Sequence, residues 1–86
     1  MYLIELAFGS DPERLAARPA HRETLLRLSR TGVVRMAGPF RDDSGALLIF
    51  DIADEASLDA LIDADPYFRT PGVTILRRQE WEPFIT

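Results

Sequence analysis

The sequence predicts an α+β fold with the element order βαββαβ around a four-stranded antiparallel sheet. Three observations carry it. Residues 2–8 alternate as a strand does, two apolar runs flank a polar turn at residues 41–45, and two stretches repeat with helical spacing. Eighty-six residues make one domain, spanning residues 1–86.

In the first strand Tyr2, Ile4, Leu6 and Phe8 point one way and Leu3, Glu5 and Ala7 the other. Gly9-Ser10-Asp11-Pro12 ends it. Ser10 or Asp11 can cap a short helical turn over Arg14–Ala17, with Pro12 at a tolerated first position. Pro19 cannot donate a helical hydrogen bond and disfavours helical geometry at Arg18, so the main helix is expected from Pro19 to about Thr31. Gly32 stops it. His21, Leu25, Leu28 and Gly32 share a face, and Arg22, Arg27 and Arg30 lie mostly off it.

Val33–Ala37 reads as the second strand, ended by Gly38-Pro39. Ala46–Ile52 is the third, apolar at nearly every position. About seven residues separate them, which predicts a hairpin. Asp54 caps a second helix that runs to Ala64, with Ala56, Leu58, Leu61 and Ile62 as its apolar face. Asp65-Pro66 breaks that helix. Val73–Arg78 is the fourth strand, and Glu80–Phe84 a tail.

This is the ferredoxin-like order. Right-handed crossovers place both helices on one sheet face. The strands are apolar on both faces, so the uncovered face is expected to join a homodimer, sheet to sheet.

Composition narrows the function. There is no cysteine and one histidine, which argues against disulfides and most zinc sites. Neither a metal-binding spacing nor a glycine-rich phosphate loop is present, and no cofactor is expected. The net charge of −4 disfavours nucleic-acid binding. No apolar run approaches the ~18 residues of a membrane helix, and the N-terminus lacks a basic leader, so a cytoplasmic protein is expected. Every basic residue is arginine, and lysine and asparagine are absent. That usage fits a GC-rich bacterial genome.

The chemistry-bearing residues are few. His21 is the only histidine, placed by this reading in the first turn of its helix. The helix N-terminus there disfavours the imidazolium, while a carboxylate such as Asp65 favours it. Such a residue suits general acid or base chemistry. The bland alternative is a half-buried histidine bonded to a backbone carbonyl. Asp65 can equally be an ordinary Asp-Pro helix terminator, and helix geometry alone does not bring it to His21. Arg14 and Arg18 can clamp a substrate anion or simply be solvated. Gly38-Pro39-Phe40 can bring backbone close to a ligand or merely end a strand. Tyr67, Phe68 and Trp81 can line an apolar pocket or pack in the core. Ser10, Ser29, Ser44 and Ser57 have no histidine nearby in sequence, and Asp42-Asp43 reads as a turn.

Arg14, Arg18-Pro19-Ala20-His21, Gly32, Ala37-Gly38-Pro39, Asp63-Ala64-Asp65-Pro66-Tyr67 and Trp81-Glu82-Pro83-Phe84 form an ordered set. In order and spacing it resembles the YciI-like (YCII-related) family over nearly the whole chain. The resemblance implies a dimeric α+β barrel built from ferredoxin-like subunits. It implies a cleft holding a His-Asp pair, mapped here to His21 and Asp65, with Arg18 and Gly38-Pro39 at its border. The family includes a dehydrochlorinase that removes HCl from a chlorinated hydroxyquinol, and its fold is similar to that of muconolactone isomerases. The turn between the second and third strands is shorter here than in longer relatives.

Two readings follow. One is a small cofactor-independent lyase or isomerase acting on a cyclic or aromatic metabolite. The other is a dimeric metabolite-binding or regulatory module that turns nothing over.

Overall fold

The computed structural model describes residues 1–86. Its elements are β1 (Tyr2–Phe8), α1 (Glu13–Arg30), β2 (Val34–Pro39), β3 (Gly45–Phe50), α2 (Glu55–Ala64), a 3-10 turn at Pro66–Arg69, and β4 (Val73–Glu80). All strand pairings are antiparallel, in the order β2-β3-β1-β4. This is the ferredoxin-like α+β arrangement.

The register explains the core. Tyr2, Ile4 and Leu6 stand opposite Phe50, Leu48 and Ala46, and all six are buried on the face that the helices cover. Leu58 of α2 and Val34 of β2 join this cluster. Leu3, Leu47 and Ile49 occupy the other face, as the two-sided apolar pattern requires. Met36, paired with Ile49, is exposed there.

Helix α1 departs from expectation. It starts at Glu13 and runs through Pro19 without interruption. An interior proline costs a helix about 3 kcal/mol, and near and distant hydrogen bonds hold the segment before it. Asp11 caps the first turn through Glu13 N–H at 2.9 Å. Arg14 donates to the Gly9 carbonyl and, like Arg18, to Asp43. Leu15, whose carbonyl Pro19 cannot serve, is half exposed, where water is available to that carbonyl. The helix ends as expected. Gly32 adopts φ 81°, its N–H reaches the Ser29 carbonyl, and Val33 N–H reaches Leu28. Those two bonds form a Schellman motif.

Strand β2 also runs further than expected, through Gly38 and Pro39. It is an edge strand, where proline at the last position breaks no ladder. Gly38 needs no unusual dihedral, and a Cβ there would meet nothing within 4 Å. The glycine that packing demands is Gly45, where a Cβ would stand 2.0 Å from the Leu6 carbonyl oxygen.

Asp54 caps α2 by accepting from Ser57 N–H at 2.8 Å. No helix is long and apolar enough to cross a membrane.

Candidate functional site

The extra length of α1 decides where His21 stands. Starting at Glu13 rather than Pro19 moves the histidine about 9 Å further from the helix start, at 1.5 Å per residue. His21 is therefore mid-helix, and the N-terminal dipole, which fades within one turn, does not act on it. The expectation of a first-turn histidine is corrected on this point. The same shift brings it level with the C-terminal end of the shorter α2, where Asp65 lies.

Asp65 closes α2 and opens the 3-10 turn at once. Preceding Pro66, it takes an extended backbone, φ −112° and ψ 104°. Its Oδ1 accepts from Tyr67 N–H at 3.0 Å. Its Oδ2 lies 2.6 Å from His21 Nδ1, within the same chain. Both residues are buried, His21 at 7% exposure and Asp65 at 6%. Burial resists ionisation of Asp65, but the hydrogen bond from His21, that from Tyr67 N–H, and the charge of Arg69 outweigh it. The carboxyl is thereby held below its ordinary range. Arg69 is fixed nearby by donating to the carbonyls of Ile62 and Asp63, the open end of α2.

An ionised Asp65 can only accept, so Nδ1 carries the shared proton and donates it. The Tyr67 ring stacks on the imidazole at 3.9 Å and 11°, and Phe68 meets it edge-on at 5.5 Å. The ring is thus fixed in plane and in tautomer. Nε2 makes no hydrogen bond within the chain, yet is not sealed from solvent.

His21 forms part of the wall of a cavity of about 410 Å³ between α1 and the β2 edge. Leu6, Phe8, Val34 and Leu48 line it on the sheet side, and Leu25 and Leu26 on the helix side. Tyr67, Gly38, Pro39 and Arg18 line it as well. The volume falls within the usual range for small-molecule sites, roughly 300–1,000 Å³.

Of the sequence-predicted site residues, the structure brings His21, Asp65, Tyr67, Arg18, Gly38 and Pro39 together. Arg14 is placed differently. It lies outside the cavity lining, with its guanidinium 4.6 Å over the Phe8 ring and one nitrogen 3.0 Å from Asp43 Oδ2. Trp81 is not at the cavity, and its backbone N–H donates to the Met1 carbonyl. Phe68 is core.

Sequence reasoning missed Asp43. Read as a turn residue, it sits at φ 59° and accepts from both Arg14 and Arg18. Desolvation opposes its ionisation less than the Arg14 hydrogen bond favours it, with Arg18 adding to the effect, so its carboxyl also sits low. Asp43 ties the β2–β3 turn to α1 at one end of the cavity. Arg22, expected mostly off the His21 face, Ser29, set aside as a nucleophile, and Arg35, not singled out, also line the cavity. Arg22 carried a signal, being one turn beyond Arg18 on the same helix face.

No group of three or more His, Cys, Asp or Glu side chains is arranged to hold a metal. A family model, the YCII-related domain, matches residues 1–82. The chain belongs to the YCII-related family. Among curated proteins, none is significantly similar in sequence. Within this YCII-related domain, the buried His21–Asp65 pair adjoins the cavity, with His21 in its wall.

Proposed function

We propose that this YCII-related protein is a small cofactor-independent enzyme, a lyase or isomerase working on a cyclic or aromatic metabolite. The observation that carries the reading is the 2.6 Å His21–Asp65 hydrogen bond, which leaves Nε2 as the free nitrogen beside the cavity. Nε2 accepts a proton from an acidified C–H or phenolic O–H of the substrate. Asp65 holds the ring and stabilises the imidazolium that results. In an isomerisation the same proton is returned at another carbon. In an elimination the C–H electron pair forms the new double bond and the leaving group departs with its own pair. Arg18 steadies substrate anion, while Tyr67 and the Gly38-Pro39 edge bound the ring.

A homodimer through the open sheet face belongs to this reading, supported by the exposed Met36 and the half-exposed Leu3 and Leu47 there. Sedimentation as a monomer at micromolar concentration would remove that part. A cytoplasmic location completes the proposal.

The test incubates the protein with a panel of enolisable cyclic ketones, lactones and hydroxylated aromatics in deuterated water. NMR then follows proton exchange and product. Wild type should accelerate exchange or elimination of at least one class by about 10²–10⁴-fold over its His21→Ala and Asp65→Asn variants. Equal rates in all three proteins would sink the catalytic reading. A ligand bound and released unchanged would leave a metabolite-binding module.

A further inference from the structure

We infer that Arg22 makes this cavity selective for anions, so that the ligand is a small, mostly apolar ring compound bearing one carboxylate or phenolate. The inference rests on the proposed reading of the cavity as a ligand site, but not on turnover.

The first observation is the charge of the lining. Arg18, Arg22 and Arg35 all contribute to it, and no Asp or Glu does. The chain as a whole is acidic, at −4. Arg18 is half-buried and Arg22 and Arg35 are exposed, so the lining offers guanidinium groups to a ligand along its solvent-facing part.

The second observation separates the three arginines. Arg35 is 3.1 Å from Asp51, and one Arg18 nitrogen is held by Asp43. Arg22 has no acidic partner and makes no side-chain hydrogen bond. Its helix neighbours three and four positions away are Arg18, Pro19, Leu25 and Leu26, so no local carboxylate can serve it.

The third observation is the spacing. Arg18 and Arg22 are four apart on one continuous helix, and like charges so placed repel. An anion between them relieves that repulsion. A guanidinium presents a planar fork that matches a carboxylate in two-point contact. His21 adjoins Arg22 in sequence and lines the same cavity, so an anion held by the arginines leaves the apolar body of the ligand beside the imidazole.

The size and lining set the rest of the class. About 410 Å³ of mostly apolar space accommodates one ring with short substituents rather than an extended or highly charged molecule.

The test compares benzoate with benzamide, which match in shape and differ in charge. Both are titrated against the full chain by NMR, at low and high salt. Wild type should prefer benzoate by tenfold or more, as expected for a charge-assisted hydrogen bond. Arg22→Gln should bring the two toward parity by weakening benzoate alone, and Arg22→Lys should retain part of the preference. Parity in wild type, absence of binding by both probes, or an undiminished preference in Arg22→Gln would overturn the inference. The titrations read binding without turnover, so a benzoate preference that depends on Arg22 stands or falls independently of the proton-exchange test of catalysis.

Discussion

Replacing Asp65 with asparagine tests the site at its most constrained point. The aspartate serves two donors, Tyr67 N–H at Oδ1 and His21 Nδ1 at Oδ2. Asparagine has one oxygen and one NH₂, so it can accept from only one of them. The backbone N–H of Tyr67 cannot give up its hydrogen, whereas a neutral imidazole can move its proton between nitrogens. The amide oxygen should therefore turn to Tyr67 and the NH₂ to Nδ1. His21 would then carry its hydrogen on Nε2, the nitrogen that the proposed chemistry needs free. A charge-assisted bond worth about 1.5–3 kcal/mol would become a neutral one worth about 1. The net loss is on the order of 1–2 kcal/mol, or a melting temperature lower by roughly 5–15 °C for a domain of this size. Asp65→Ala should cost more, about 3–5 kcal/mol, because it strands two buried donors. Nitrogen-15 NMR of the imidazole, recorded where the ring is neutral, reads the tautomer directly, and thermal melts read the stability. An unprotonated Nε2 in Asp65→Asn, or equal melting of the asparagine and alanine variants, would refute the reasoning.

Two further outcomes follow from the geometry. Asp65 is held below its ordinary value of 3.8 by its hydrogen-bond donors and neighbouring positive charge, against the opposing effect of burial. Its contribution to stability is complete above 3.8 and lost as pH falls through the lowered folded value. Urea midpoints from neutral pH into strong acid should drop less steeply for Asp65→Asn than for wild type, and matching slopes would contradict this assignment. Gly45→Ala forces a Cβ onto the Leu6 carbonyl, 2.0 Å away on the neighbouring strand. It should destabilise by roughly 1–3 kcal/mol through separation of β1 and β3, and an unchanged melting temperature would show that the strands yield without cost.

The order of elements and the caps were legible because they depend on neighbours in sequence. Gly32 and Asp54 act where their residue types predict, and the alternation of β1 sorts its two faces correctly. Pro19 misled because its penalty is local while part of what opposes it is distant in sequence. Asp43, which anchors the helical segment before it, lies 25 positions from Arg18. That error hid the meeting of His21 with Asp65, since a helix started at Pro19 leaves the histidine too near its beginning. The pair was reached through family resemblance, and the length of α1 now supplies the physical reason. Arg22 was placed off the His21 face, and its position in the cavity lining depends on the neighbouring sheet edge, which the helix pattern alone does not show.

Asp65 stands at a corner where the chain changes from α-helix to 3-10 turn, and the same carboxylate orients the imidazole. Forming the corner and aligning the histidine are therefore one event. The Tyr67 amide, bonded to Oδ1, is a natural reporter of it. Its hydrogen-exchange rate measures how often the corner opens, and each opening also releases His21. Any ligand that lies against the fixed imidazole should slow exchange at that single amide, so its occupancy can be read without knowing what reaction follows.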